Sequence, residues 1–300
     1  MINYITYSDL AKDIRENIYK IPHDIDGVIA IPRSGLIPGI MIAELFNIPI
    51  TTVNNLIKYG NIEDSFLGNG RRLNCKNFIN GPKFKKKFLV IDDTYCSGAG
   101  MEDTQEKLRN FNYEFIYCVA YSESNTVPGD IICLKNISFY YNLSPFKHAK
   151  CNLFEWNIFN HGMLHEFLFD IDGVIFMDPP DERNTEVYVK YIENPIPKII
   201  PQDLSNNPIN FATYRLNKYR KITTDSLINL GINVGTLYMF NSETYEERSK
   251  LLSPFEYKAH IYSSNDDYKL FIESDDWQAK LIHEISGKPV LSVEKNMIYN

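Results

Sequence analysis

The segment from Lys87 to Gly100 constrains the fold of this chain more than any other. It reads KFLVIDDTYCSGAG, an apolar run that leads into two adjacent carboxylates and then into small residues. The apolar residues from Phe88 to Ile91 predict a buried strand, and the small residues predict a turn that opens a helix. The two acids then lie at the carboxyl end of a strand, where open α/β sheets bind ligands. The segment therefore predicts an α/β domain with a binding site at this edge of its sheet.

The chemistry of this segment suits a phosphorylated sugar. Asp92 and Asp93 accept hydrogen bonds in their ionised form, so the pair suits the vicinal hydroxyl groups of a ribose. The loop that follows has little side-chain bulk, so its backbone N–H groups can form a nest for a phosphate monoester. An ordinary strand–turn–helix corner with an acidic N-cap is the alternative. The predicted loop consists of Thr94, Tyr95, Cys96, Ser97, Gly98, Ala99 and Gly100.

The segment resembles the signature of type I phosphoribosyltransferases. That signature is an apolar strand, Asp-Asp, three variable residues, a hydroxyl residue, Gly, any residue and a second hydroxyl residue. The matching residues are Asp92, Asp93, Ser97 and Gly98. Gly100 replaces the second hydroxyl residue, so the backbone must supply more of the contact to the 5-phosphate. The resemblance implies that the site binds phosphoribosyl pyrophosphate (PRPP).

Residues 26–50 support the same interpretation. They predict a strand, a tight turn, a helix from Leu36 to Phe46 and a short second strand. In the resembled family, the turn after this strand holds the pyrophosphate group. Glycine permits close backbone approach, and arginine and serine donate hydrogen bonds to an anion. The resemblance therefore assigns PRPP binding to Arg33, Ser34 and Gly35.

The polar, basic stretch from Asn54 to Lys87 predicts a long loop, and long loops inside compact domains are usually functional. By resemblance it is the flexible loop that closes over PRPP and excludes water from the reaction. The resemblance makes Arg71 or Arg72 the candidate for the cation that meets the diphosphate. Solvated surface charges leading into a strand are the alternative interpretation.

The second half of the chain contains another apolar run that ends in acids, FLFDIDGVI from Phe167 to Ile175. Asp170 and Asp172 are separated by one residue, so an extended chain points both carboxylates to the same side. The segment resembles the first motif of the haloacid dehalogenase (HAD) phosphatases. The resemblance makes Asp170 the nucleophile that forms an aspartyl-phosphate, and Asp172 the acid and base of the reaction.

Three later segments match the remaining motifs of that family in order. The resemblance makes Thr213 a donor to the phosphoryl oxygens and Lys258 the cation that neutralises the phosphoryl group and the nucleophile. A strand from Leu270 ends in acids suited to Mg²⁺, and which of them reaches the ion is left open. The alternatives are a strand terminus for Thr213, an exposed helix position for Lys258 and an N-cap for the acids. The predicted metal ligands are Asp170, Asp172, Glu273, Asp275 and Asp276.

The order of apolar segments predicts an α/β protein of two domains, each a mainly parallel sheet flanked by helices. We expect a phosphoribosyltransferase-like domain over residues 1–160 and a HAD-like phosphatase domain with little or no cap over residues 161–300. In the first domain, the sequence predicts an opening helix from Ser8 to Tyr19 with Ser8 as its N-cap, and a strand at Ile137–Tyr141.

Composition excludes several classes of protein. The formal net charge of −7 argues against broad nucleic-acid binding, which needs clustered positive charge. The 5 cysteines form no CxxC pair, so neither a zinc site nor a disulfide framework is predicted. The sequence shows no signal segment and no apolar run of membrane-spanning length, which predicts a cytoplasmic protein without a membrane partner.

Together the two resemblances imply a bifunctional enzyme. The first domain would transfer ribosyl 5-phosphate from PRPP to an acceptor, and the second would remove the 5-phosphate. One alternative is nucleobase salvage, orotate- or purine-like, beside an independent phosphatase. Another is a sensor that binds PRPP or a nucleotide without turnover. The sequence leaves open the acceptor, which is a nucleobase, an amine or a sugar hydroxyl, and the formation of a homodimer.

Overall fold

The computed structural model describes residues 2–67, 86–122, 127–137, 151–180, 183, 185–203 and 205–300. The chain forms two compact units. The first unit is Ile5–Asn152, and the second unit is Met1–Tyr4 together with Leu153–Asn300. The division falls between Asn152 and Leu153, whereas the sequence placed it between residues 160 and 161.

The first residues of the chain belong to the same unit as the last. Strand β1 (Ile2–Ile5) pairs with strand β7 (Cys151–Phe154) in a two-stranded sheet. This pairing explains why the boundary between the units lies before residue 160. The backbone N–H of Ile2 donates to Asn300 Oδ1 at 2.9 Å, and Asn300 Nδ2 donates to the Ile2 carbonyl at 2.8 Å. The Ile5–Asn152 unit is therefore an insertion between two parts of the other unit.

The first unit contains a five-stranded parallel sheet in the order β3-β2-β4-β5-β6. The chain passes from β2 outward to β3 and returns on the other side of β2 as β4. Ligands bind at the carboxyl ends of the strands where the order reverses in this way. The strands are β2 (Gly27–Ala30), β3 (Ile50–Thr52), β4 (Lys87–Tyr95), β5 (Glu114–Ser122) and β6 (Ile131–Asn136), and the described helices are Tyr7–Asn17, Leu36–Phe46, Val53–Tyr59, Ile62–Ser65 and Ala99–Leu108.

The apolar residues of two neighbouring inner strands of this sheet are fully buried. Val28 to Ala30 in β2 and Phe88 to Ile91 in β4 are all 0% exposed. Parallel strands covered on both faces read as continuous apolar runs, which is the pattern that the sequence shows here. Their pairing, with Ala30 opposite Ile91, brings the carboxyl ends of β2 and β4 side by side.

One local prediction for the first unit was wrong. The opening helix is capped by Thr6 rather than Ser8, because Thr6 and Asp9 form a reciprocal capping box. Short polar side chains compete for the same backbone groups at such a helix start. The strand predicted at Ile137–Tyr141 lies outside the described residues except for Ile137, and the sequence interpretation missed strand β6 at Ile131–Asn136.

The stretch from Asn54 to Lys87 is also not one long loop. It begins within helix Val53–Tyr59, which is capped by Thr52 and ends at Gly60 in a left-handed conformation. A short helix, Ile62–Ser65, follows. Polar composition hid these helices, although Thr52 and Gly60 are ordinary start and stop signals. Arg71 and Arg72 lie outside the described residues.

The second unit contains a six-stranded sheet in the order β10-β9-β8-β11-β12-β13. All neighbouring strands are parallel except β12 and β13. The predicted α/β class, with parallel sheets flanked by helices, is therefore confirmed. The strands are β8 (Phe167–Phe169), β9 (Ile209–Leu216), β10 (Val234–Phe240), β11 (Leu270–Glu273), β12 (Val290–Ser292) and β13 (Met297–Tyr299), and the described helices are Thr185–Glu193, Arg220–Asn229, Tyr245–Leu251, Pro254–Ser263 and Asp276–Ser286.

The core of the second unit fixes two helices against its central strands. Leu168 of β8 and Phe271 of β11 pack in one cluster with Ala259, Tyr262 and Ile282 from helices Pro254–Ser263 and Asp276–Ser286. This packing fixes both helices against the two strands. None of the helices in the described ranges is long and apolar enough to cross a lipid bilayer.

Candidate active sites

The structure places the turn after β2 directly beside β4 in the first unit. The N–H of Ile31 donates to the carbonyl of Ile91 at 2.9 Å. A Cβ atom added to Gly35 would lie 2.7 Å from the Ile91 carbonyl oxygen and 3.0 Å from Asp92 Cα. Such contacts would force the backbone apart, so this approach requires glycine. Gly35, the last residue of the predicted Arg33–Gly35 segment, thus lies against the backbone of Ile91 and Asp92, where the strand order reverses.

The two acids lie inside β4 rather than after it. The strand continues to Tyr95, and Asp92 pairs with Val119 of β5. Asp93 is buried, and its N–H donates to Asp92 Oδ1 at 2.9 Å. Burial and the neighbouring charge of Asp93 raise the pKa of Asp92 to about 8. Asp92 therefore holds a proton near neutral pH and can donate as well as accept a hydrogen bond.

The loop after β4 turns directly into a helix at a left-handed glycine. Gly98 adopts φ 83°, and a Cβ atom there would lie 2.4 Å from the hydroxyl oxygen of Tyr95. Helix Ala99–Leu108 starts at once with Gly98 as its N-cap. The exposed loop residues are Cys96, Ser97, Ala99 and Gly100. Helix N-termini present free N–H groups and a partial positive charge, which suit a phosphate group.

The second unit contains a buried cluster of opposite charges. Lys258 Nζ lies 2.7 Å from Asp170 Oδ2, 2.7 Å from Glu273 Oε2 and 3.4 Å from Gln278 Oε1. Asp170 follows β8 and Glu273 ends β11, two strands that pair in parallel. Lys258 is only 3% exposed, so it is not a solvated helix residue. The sequence motifs around these three residues are thus brought to one point.

Charge and burial oppose each other in this cluster. Burial raises the pKa of Asp170 well above its usual range, although Lys258 lowers it. The pKa of Lys258 is raised, because Asp170 and Glu273 outweigh the effect of burial. Two carboxyl groups share one ammonium group, so the lysine stays charged while a carboxyl group takes up a proton readily. A permanently charged lysine beside a carboxylate suits a phosphoryl group.

Other acids of the motif make structural hydrogen bonds. Glu273 Oε1 accepts from the Ser274 N–H at 2.9 Å. Asp275 caps helix Asp276–Ser286 by accepting from the Gln278 N–H at 2.7 Å. Asp276 accepts from the Tyr299 hydroxyl at 2.9 Å. Among the residues that the structure describes, no three His, Cys, Asp or Glu side chains are grouped to hold a metal ion. The predicted ligands Asp170, Asp172, Glu273, Asp275 and Asp276 are therefore not gathered into one cluster of acids in this arrangement.

The sequence interpretation missed the partner of Asp172. The buried guanidinium of Arg215 donates from Nε to Asp172 Oδ2 at 2.9 Å and from Nη2 to Oδ1 at 2.5 Å. Thr213 is buried in β9, which continues to Leu216, and its Oγ1 accepts from the Arg215 N–H at 3.3 Å. An arginine two positions after Thr213, within a predominantly buried strand, was the available signal, since buried arginine needs a partner.

Comparison with known proteins gives similarities in structure only. No family model and no curated protein matches the chain. The xanthine-guanine-hypoxanthine phosphoribosyltransferase of Helicobacter pylori has 14% identity and a TM-score of 0.34, over 53% of this chain and 93% of that chain. The purine phosphoribosyltransferase of Pyrococcus horikoshii Ot3 has 19% identity and a TM-score of 0.33, over 52% and 93% of the two chains. The orotate phosphoribosyltransferase of Aeropyrum pernix has 16% identity and a TM-score of 0.30, over 43% and 70%. Likeness at this level does not establish a family.

Proposed function

We propose that the chain is a bifunctional enzyme that transfers ribosyl 5-phosphate from PRPP to an acceptor and then removes the 5-phosphate. The observation that carries the proposal is that each unit gathers groups suited to phosphate at the carboxyl ends of adjacent parallel strands. In the first unit these are the Arg33–Gly35 turn, Asp92 and the loop at Gly98. In the second unit they are Lys258 and Asp170, 2.7 Å apart.

In the proposed transfer, the bond between ribose C1 and a diphosphate oxygen breaks, and the electron pair leaves with the diphosphate. The acceptor supplies the electron pair of the new bond to C1 and releases its proton to water. Arg33 and Ser34 donate to the diphosphate, and Asp92 and Asp93 bind the ribose hydroxyls. The nest at Gly98 holds the 5-phosphate. Mg²⁺ enters with the diphosphate as part of the substrate.

In the proposed hydrolysis, Asp170 attacks phosphorus as the bond from phosphorus to the sugar oxygen breaks. Asp172 gives a proton to the departing oxygen and later accepts one from the water that cleaves the aspartyl-phosphate. Lys258 balances the negative charge of the phosphoryl group, and Thr213 donates to its oxygens. One unit would thus make a phosphomonoester that the other is equipped to cleave, and covalent linkage raises its local concentration.

Phosphorus NMR of the purified chain tests this proposal directly. Wild type is incubated with Mg²⁺, PRPP and a panel of nucleobase, amine and sugar acceptors, beside Asp170→Asn and Asp92→Asn variants. We expect wild type to release diphosphate and orthophosphate, Asp170→Asn to stop at a new phosphomonoester, and Asp92→Asn to lose diphosphate release. The trapped species identifies the acceptor.

The other functions give different spectra in the same experiment. A salvage transferase with an independent phosphatase accumulates a nucleotide in wild type, with no dependence on Asp170. A sensor binds PRPP in calorimetry but releases no diphosphate with any acceptor. Either result would rule out the sequential reaction.

A further inference from the structure

We propose that Arg215 is the positioning residue of the second unit, and that it fixes Asp172 so that Oδ2 is the oxygen that exchanges the proton. This inference rests on the proposed phosphatase function. Arg215 donates hydrogen bonds to both carboxylate oxygens of Asp172, from Nε to Oδ2 at 2.9 Å and from Nη2 to Oδ1 at 2.5 Å. The Arg215 side chain is 0% exposed and that of Asp172 is 16% exposed. The pair is therefore open to a ligand only on the side of the acid.

The guanidinium itself is held by three other elements. Its Nη1 donates to Thr223 Oγ1 at 3.3 Å, on helix Arg220–Asn229. Its Cζ atom lies over the rings of Phe176 and Tyr191, 5.7 Å from each ring centroid. Both rings contribute cation–π attraction in a desolvated setting. These contacts fix the arginine side chain, so its fork can hold the acid in one orientation.

Counting donors identifies the free position on the carboxylate. Among the described residues, Asp172 Oδ1 lies within hydrogen-bond distance of two donors, Arg215 Nη2 at 2.5 Å and the Tyr191 hydroxyl at 3.0 Å, whose one proton is also within reach of the Met177 carbonyl. Oδ2 lies within that distance of one described donor, Arg215 Nε at 2.9 Å. A carboxylate oxygen has two lone-pair sites, so one site of Oδ2 is open. In the reaction, a proton on Oδ2 passes to the departing oxygen as its bond to phosphorus breaks, and Oδ2 then recovers a proton from the attacking water.

Stability alone does not account for this pair. A buried ion pair costs about as much desolvation energy as its attraction returns, and apolar replacements are often neutral or stabilising. A need to hold Asp172 in one orientation beside Asp170 explains the arrangement. Removing the arginine then harms steps that need proton transfer more than steps that do not.

The test compares two leaving groups. p-Nitrophenolate leaves without a proton, whereas the sugar oxygen of ribose 5-phosphate needs one. We expect Arg215→Gln to lower kcat on ribose 5-phosphate at least about tenfold more than on p-nitrophenyl phosphate, as expected for loss of general-acid assistance. Arg215→Lys should recover part of the difference. In an Asp172→Asn background, Arg215→Gln should cost nothing further, because it acts through Asp172.

Arg248→Gln is the matched control, since Arg248 is another buried arginine of this unit, 2% exposed, that donates to the Tyr214 carbonyl. It should affect both substrates equally.

Tyr191→Phe keeps the ring and removes the second donor to Oδ1, so it supplies the same comparison if Arg215→Gln fails to fold. Equal losses on both substrates, or additive losses with Asp172→Asn, would overturn the role of Arg215 while leaving the phosphatase intact. Wild type that cleaves neither substrate would overturn the phosphatase and this inference together.

Discussion

Replacing Lys258 with methionine tests whether the buried charge cluster is built as described. The change removes the ammonium group of Lys258, whose Nζ lies 2.7 Å from Asp170 Oδ2 and 2.7 Å from Glu273 Oε2. Removing one partner of a buried ion pair costs about 3–5 kcal/mol. For a unit of this size, that corresponds to a fall in Tm of about 6–20 °C. The second unit should therefore unfold at much lower urea concentration in Lys258→Met.

The loss should depend on pH, and its sign follows from the carboxyl groups. Without Lys258, burial and the neighbouring Glu273 raise the pKa of Asp170 further above its unfolded value. The stability of the variant is therefore highest at low pH, where Asp170 is protonated, and is lost as the pH rises through the pKa of Asp170 in the folded state. We therefore expect Lys258→Met to be least destabilised near pH 5 and most near pH 8. Further replacement by Asp170→Asn and Glu273→Gln should recover most of the loss, because no charge is left buried.

Tryptophan fluorescence is a suitable assay because the chain has 2 tryptophans, Trp156 and Trp277, and both belong to the second unit. Urea unfolding followed at several pH values thus reports on this unit alone. A loss below about 1 kcal/mol at pH 8, or a loss that does not change with pH, would refute the described burial and pairing of the cluster. Failure of the neutral triple variant to recover would refute the charge-based reason.

Three further predictions concern the first unit. Asp92→Asn should stabilise it at pH 8.5 by about 2 kcal/mol or more and have little effect near pH 4, because the raised pKa of about 8 makes ionisation costly as pH rises; hydrogen exchange of β4 measures this. Gly98→Ala should cost about 1–3 kcal/mol and weaken ribose 5-phosphate binding in calorimetry, since φ is 83° and Tyr95 blocks a Cβ atom. Gly129→Ala, which meets nothing within 4 Å, should be neutral in the same assays. Gly35→Ala should abolish PRPP binding by pushing the turn away from Asp92, while circular dichroism still shows a folded protein.

Local sequence patterns predicted the parts of the fold that depend on burial. The apolar runs at Val28–Ala30 and Phe88–Ile91 became the central strands because both faces are covered. Helix Leu36–Phe46 also lies where its apolar run indicates. Each of these elements is specified by neighbouring residues alone. The sequence analysis assigned the Arg33–Gly35 turn and Asp92 to one site by resemblance alone, and the parallel order of β2 and β4 brings Gly35 beside Asp92.

The features that were missed depend on contacts distant in sequence. The strand β4 continues through Asp93 because β5 pairs with it beyond the apolar run, which no local pattern contains. Arg215 meets Asp172 across 43 positions of sequence, so its role appears only when β9 is placed beside β8. The burial of Lys258 has the same origin, since its helix shows little amphipathic pattern and its two partners come from separate strands.

The bonds between Ile2 and Asn300, which are 298 positions apart, also determine how the molecule responds to force. A pull applied between these two residues is carried first across their own hydrogen bonds and the pairing of β1 with β7. The Ile5–Asn152 unit lies on the long path between the two points and bears no tension until β1 has peeled away. We therefore expect the inserted unit to bear force only after the Ile2–Asn300 hydrogen bonds and the pairing of β1 with β7 have broken.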